Sequence, residues 1–147
     1  MNLMETPIEI LLVEADPAAA RIIIEVFNES KWNINISRLN DGVEVMDYLN
    51  KNKRKYNKLP SLILLELNLP RKSGYDVLKE IKTDDILKII PVIILTNSRD
   101  NEDVYTSYEK RANAYIIKSI NLNKFKENMI IFNEFWFNYV TLPKIEV

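Results

Sequence analysis

The chain of 147 residues contains no cysteine and no histidine. Without thiols it has no disulfides, no cysteine-ligated metal and no thiolate nucleophile, and nothing in it calls for an oxidising compartment. Without imidazoles it lacks the commonest general base, the commonest zinc ligand and the side chain that titrates near neutrality. Glycine is scarce: Gly42 and Gly74 are the only two. No glycine-rich loop can therefore cradle a phosphate chain, which excludes nucleotide-binding enzymes of the P-loop or dinucleotide type. A basic excess is also missing, with 20 Lys and Arg against 21 Asp and Glu, so there is no electrostatic footprint for nucleic acid. The densest basic run, Lys51 to Lys58 (KNKRKYNK), reads as a solvated loop. No apolar stretch approaches ~18 residues, and the polar segment Met1 to Glu9 has no signal-peptide core. The expectation is a cytoplasmic protein that engages neither membrane nor nucleic acid.

What is present is a globular composition, 47% hydrophobic and 28% charged, in a chain long enough to bury a full core. One domain is expected over 1–147, with its core at about 8–140 and a C-terminal tail over 141–147. Ile8 to Val13 (IEILLV) reads as a strand. Pro17 suits the first turn of a helix capped by Asp16 and carrying Ile22, Ile23, Val26 and Phe27. Ile34 and Ile36 mark a thin second strand, and Asp41-Gly42 opens a helix with Val43, Met46 and Leu49 on one face. Leu62 to Leu67 is an apolar strand, Gly74 to Thr83 a helix, Pro91 to Thr96 a strand and Asn101 to Ala112 a helix. Ala114 to Ile117 is the last strand and Leu122 to Val140 the last helix. Strand and helix alternating five times with short connections predict an α/β fold. Its form is a doubly wound five-stranded parallel sheet with five helices.

In a parallel sheet all strand carboxyl ends lie on one edge, where ligands of this architecture bind. The first strand delivers Glu14 and Asp16 there, the third Glu66, the fourth Thr96 and the fifth Lys118. Any one polar residue at a strand end is ordinary, but this ordered set of acids, hydroxyl and ammonium is not.

The set resembles the receiver domains of two-component response regulators, and the resemblance runs from about Ile8 to Pro143. Receivers carry an acidic pair after the first strand, a phosphorylated aspartate after the third, Thr or Ser after the fourth and Lys after the fifth. The matching positions are Glu14 and Ala15, Glu66, Thr96 and Lys118; Asn68-Leu69-Pro70 and Gly74 match the loop after the phosphoacceptor. Tyr115 matches the aromatic position that pairs with Thr96 in the family's switch. The segments DGVEVMDYL, LNLPRKSGYDVL and EFWFNYVTLP are similar to the single-domain regulators that partner phytochrome-type histidine kinases. The resemblance implies a flavodoxin-like receiver fold, a sensor histidine kinase as partner and no enzymatic activity. Output is then expected through contacts made by the receiver itself.

The departures from the family pattern are as informative as the matches. The phosphoacceptor position holds Glu66, the second acid is Ala15, and Ser119 replaces the proline after the lysine. Glu14 and Glu66 against Lys118 leave one excess negative charge where the family has two, and Mg²⁺ needs its few protein carboxylates. Weak or absent Mg²⁺ binding is expected, with Glu14, Glu66 and Asn68 as candidate ligands; Asp16 could supply a replacement carboxylate but reads first as a helix cap. In-line phosphoryl transfer rests on positioning and metal clamping, so Glu66 is expected to be a poor acceptor. The alternative is a Mg²⁺-dependent phosphoacceptor with residual transfer from a histidine kinase. For Glu66 itself several readings stay open. It mimics the phosphorylated state by engaging Thr96 and Lys118, it merely pairs with Lys118 in a silent pocket, or the pocket is vestigial and another surface acts.

The last helix points to a partner. Leu122, Phe125, Met129, Phe132 and Trp136 form its core stripe, while Ile131, Phe135 and Phe137 lie off that stripe. An apolar second face predicts a homodimer interface, unless the tail, through Leu142 and Pro143, folds back over it. Related phytochrome-linked regulators pair through this end of the domain, which supports the dimer.

Overall fold

The computed structural model describes residues 7–55 and 58–145. Its strands are β1 (Ile8–Val13), β2 (Ile34–Leu39), β3 (Leu62–Leu65), β4 (Val92–Thr96) and β5 (Ala114–Ile117). They form one sheet in the order β2-β1-β3-β4-β5, parallel at every pairing. The connecting helices are α1 (Pro17–Glu29), α2 (Gly42–Asn52), α3 (Gly74–Thr83), α4 (Asn101–Glu109) and α5 (Leu122–Glu134). The doubly wound parallel sheet read from the sequence is thus the observed fold. Its strand order reverses between β1 and β3, which opens a crevice at their carboxyl ends.

Alternation along the strands divides the core between the two faces. Leu11, Val13, Ile63, Leu65, Val92 and Ile94 pack with Val45, Leu49, Val77, Leu78 and Ile81 of α2 and α3. Ile10, Leu12, Leu62, Leu64, Ile93 and Leu95 pack with Ile23 and Phe27 of α1 and Phe125, Met129 and Phe132 of α5. Strands buried on both faces need continuous apolar runs, which is why LILL and VIIL carry no polar alternation. Helix starts follow capping chemistry: Asp16, Asp41, Ser73, Asp100 and Asn121 each accept a backbone N–H of the first turn.

Several local expectations are corrected. In α2, Val45 rather than Val43 joins Met46 and Leu49 in the core. A 3₁₀ turn over Leu87–Ile89 precedes β4, and α4 ends at Glu109 rather than Ala112. The last helix does not run evenly to Val140: α5 passes at Glu134 into a π-helical turn over Phe135–Tyr139, closed by Val140 N–H donating to the Phe135 carbonyl at 2.9 Å. The wider turn rotates the side chains relative to α-helical spacing. Phe137, expected off the core stripe, is therefore buried at 8% exposure. It packs on Phe27 edge-on at 5.6 Å, on Phe132 at 6.1 Å and on Trp32 at 6.4 Å. Trp136 is only partly buried and Leu122, at the other end of the expected stripe, is exposed.

Of the tail, residues 146–147 lie outside the described residues. Leu142 packs on the α1/α5 side and Ile145 is buried on the other. Its described part leaves Ile130, Ile131, Phe135 and Tyr139 exposed.

Candidate functional site

Glu14 follows β1 and Glu66 follows β3, and both reach the crevice at the strand ends. Lys118 follows β5, and its N–H donates to the Thr96 carbonyl at the end of β4 at 2.8 Å. Gly74, opening α3, allows the helix to lie against this turn: a Cβ there would sit 2.3 Å from the Glu66 carbonyl oxygen and 2.6 Å from Leu67 Cα. Glu66 N–H donates to the Val13 carbonyl at 3.0 Å and Glu14 N–H to the Leu39 carbonyl at 3.0 Å, so the sheet's own ladder holds the acids in register. Arg38, at the end of β2, donates from Nε and Nη2 to the Glu14 carbonyl at 3.1 and 2.9 Å.

The structure brings Glu14, Glu66 and Lys118 together as a buried triad, each 6% exposed or less. Lys118 Nζ pairs with Glu14 Oε1, and with Glu66 Oε1 at 2.7 Å. The second oxygen of Glu66 accepts from Leu67 N–H at 2.7 Å and Asn68 N–H at 3.3 Å. The second oxygen of Glu14 accepts from Asp16 N–H at 3.1 Å. Burial alone would lower the Lys118 pKa, but its hydrogen bonds to the two carboxylates and their charges outweigh that and raise it. Burial raises the Glu14 carboxyl above its ordinary range, although Lys118 opposes the shift. A buried pair is favourable only when every oxygen and proton is engaged, and each carboxylate oxygen of this triad has a partner.

The remaining expected site residues lie around the triad with differing roles. Thr96 is fully buried, yet its hydroxyl has no hydrogen-bond partner among the described residues; it does not engage Glu66. The Tyr115 hydroxyl donates to the Ser98 carbonyl at 2.9 Å, with its ring packed against the α2/α3 side of the core. Asp16 is exposed and its side chain caps α1, accepting Ala18 N–H at 3.1 Å. Asn68 is exposed at the mouth, and Ala15 offers no donor atom beyond its backbone.

Sequence reasoning missed the two backbone N–H groups that hold Glu66, the Arg38 clamp, and a latch behind Tyr115. In that latch the Tyr75 hydroxyl and the Ser98 hydroxyl both donate to the carboxylate of Asp103. No spacing rule joins residues from α3, α4 and the loop between β4 and α4.

A divalent-cation site is poorly served by this donor set. Mg²⁺ takes oxygen ligands in tight octahedral geometry, but here an ammonium lies between the two carboxylates and Ala15 contributes no side-chain oxygen. Among the described residues no group of three or more acidic, His or Cys side chains converges to hold a metal.

The model of the response regulator receiver domain matches residues 10–130. The chain is 42% identical over 138 residues to the response regulator Rcp1 of Synechocystis sp., covering 93% of this chain and 94% of that protein. It is 34% identical over 139 residues to the probable methanogenesis regulatory protein FilR2 of Methanothrix harundinacea, covering 95% and 90%. Among solved structures it is similar to the phosphorylated cyanobacterial phytochrome response regulator RcpA, with TM-score 0.86 and 40% identity over 94% of this chain and 99% of that one. It is equally similar to the Mn(2+)-bound form of Rcp1, with TM-score 0.86 and 42% identity over 93% and 99%.

Proposed function

We propose, for a chain that belongs to the response regulator receiver domain family of two-component signalling, a role that does not depend on phosphorylation of its own pocket. One observation carries this reading. The Glu66 carboxylate that would attack a phosphodonor is bound on one oxygen by Lys118 and on the other by Leu67 and Asn68 N–H groups. A clamp of this kind immobilises the nucleophile, and the absence of a second acid at Ala15 removes the metal that would orient the incoming phosphoryl group. That the Thr96 hydroxyl has no partner among the described residues, and does not bond Glu66, favours a silent pocket over a mimic of the phosphorylated state. The chain then acts as a receiver module of the cytoplasm, without catalytic activity, that signals by binding a sensor histidine kinase or another signalling protein.

The test is intact mass after incubation with Mg²⁺ and a small phosphodonor, beside an Ala15→Asp/Glu66→Asp variant. The expected outcome is a phosphoryl adduct on the variant alone. An adduct of comparable yield on the parent chain overturns the reading and supports a Mg²⁺-dependent phosphoacceptor instead.

The second part of the proposal is a homodimer through α5. Ile131 is 63% and Phe135 51% exposed, with Ile130 and Tyr139 beside them, an apolar strip that a second copy would cover. Phe137 takes no part, because it belongs to the core. Light scattering across a concentration series should give a dimer that Ile131→Ser/Phe135→Ser converts to monomer. A parent chain monomeric at high concentration ends this part of the proposal.

A further inference from the structure

At the opposite edge of the sheet from Glu66, the C-terminal turn of α3, the 3₁₀ turn before β4 and the end of α4 line an open cleft of about 470 Å³. Its walls are Lys79, Lys82, Thr83, Lys88, Glu109, Lys110 and Arg111. Among the described residues these are five cations against one carboxylate, on a chain whose net charge is −1. Ion pairing does not neutralise them: of the five, only Lys88 has an ion pair among the described residues, with Asp85 at 3.6 Å.

One of the cleft's cations is fixed in place by the fold. Lys82 is buried, 7% exposed, and its ammonium donates to the Lys88 carbonyl at 3.1 Å and the Ile90 carbonyl at 2.7 Å. These are neutral acceptors, so they leave its charge uncompensated, and burial lowers its pKa to about 8. Arg111 sits at φ 76°, a left-handed conformation that the turn after a helix ordinarily gives to glycine or asparagine.

We propose that this cleft binds a small phosphate-bearing anion of at least two negative charges, such as a polyphosphate or the phosphate chain of a nucleotide. The volume lies in the small-molecule range of roughly 300–1,000 Å³. A guanidinium fork beside several ammoniums is the chemistry that recognises phosphate oxygens. The occupant is small rather than a nucleic acid, because the rest of the chain carries the net negative charge that a polymer would also have to meet. An anion would supply the counter-charge that the Lys82 ammonium lacks, so binding should weaken as pH rises above about 8. The other charged groups lining the cleft are Lys79 on α3, Lys88 on the 3₁₀ turn, and Glu109, Lys110 and Arg111 at the end of α4; burial alone accounts for the lowered Lys82 pKa.

Amide chemical-shift titrations of the full chain with pyrophosphate, and separately with metal-free ATP, at fixed ionic strength test this. The expected result is saturable shifts over residues 79–90 and 109–112, with Glu66 and Lys118 unmoved. Tighter binding of ATP identifies a nucleotide as the occupant, and tighter binding of pyrophosphate a free polyphosphate. Lys110→Gln/Arg111→Gly should weaken binding at least about tenfold. Because Arg111→Gly relieves the left-handed residue, the variant is expected to fold as well as the parent. Shifts that do not saturate, affinity in the variant within about twofold of the parent, or tighter binding of a DNA oligonucleotide than of either probe would overturn the proposal.

Discussion

Lys82 and Lys118 are buried to nearly the same degree, 7% and 6% exposed, at opposite edges of one sheet. Their pKa values move in opposite directions. Lys118 meets two carboxylates and is raised; Lys82 meets two backbone carbonyls and falls to about 8. Desolvation acts against the charge at both positions, so the sign is decided by whether the partners bring a counter-charge or only a dipole. The comparison separates the two ends of the molecule functionally. At the Glu66 end every carboxylate oxygen is engaged within the triad and its backbone N–H donors, although one negative charge stays in excess. At the Lys82 end the charge is left open.

The largest expected effect comes from breaking the closed site. Lys118→Met leaves Glu14 and Glu66 buried and facing one another without a cation, and should destabilise the domain by about 3–5 kcal/mol, read by urea unfolding at neutral pH. Lys82→Met should cost less, about 1–3 kcal/mol. It orphans the Lys88 and Ile90 carbonyls but also removes an uncompensated charge.

A sharper test uses pH, because the two lysines titrate with opposite consequences. The folded pKa of Lys82 lies below its ordinary 10.5, so between about 8 and 10.5 the unfolded chain binds the additional proton and stability rises with pH. The stability difference between the parent and Lys82→Met should therefore shift toward the parent across that window. Lys118, with its folded pKa raised, contributes stability that is complete below 10.5 and is lost as pH rises through its folded value. Slopes of the same sign from the two variants would show that neutral carbonyls and carboxylates are not distinguished as argued.

Much of this architecture was legible in the chain. Continuous apolar runs such as Leu62 to Leu65, bounded by turns and separated by helix-period segments, specify buried parallel strands because only such strands are apolar on both sides. The order of polar residues closing those runs placed Glu14, Glu66, Thr96 and Lys118 on one edge. The partition of bonds within that edge was not legible. Whether Glu66 would reach the Thr96 hydroxyl or the N–H groups of Leu67 and Asn68 depends on ångström-scale packing of the loop beneath Gly74. Phe137 was misplaced for a similar reason. Helical spacing assumes a uniform turn, and one π-helical turn moves Phe137 into the core.

By itself, then, the sequence determined the fold class, the edge that gathers the acids and the lysine, and the replacement of the usual aspartate and second acid by Glu66 and Ala15. These follow from residue identity and local periodicity, which tertiary contacts rarely override when runs are long. Only the tertiary structure decided that Lys118 bridges both carboxylates, that the Thr96 hydroxyl has no partner among the described residues, and that five cations from three separated segments line one cleft. Those outcomes depend on which side chains chain folding brings within hydrogen-bond or Coulomb range, and spacing along the sequence does not encode that distance.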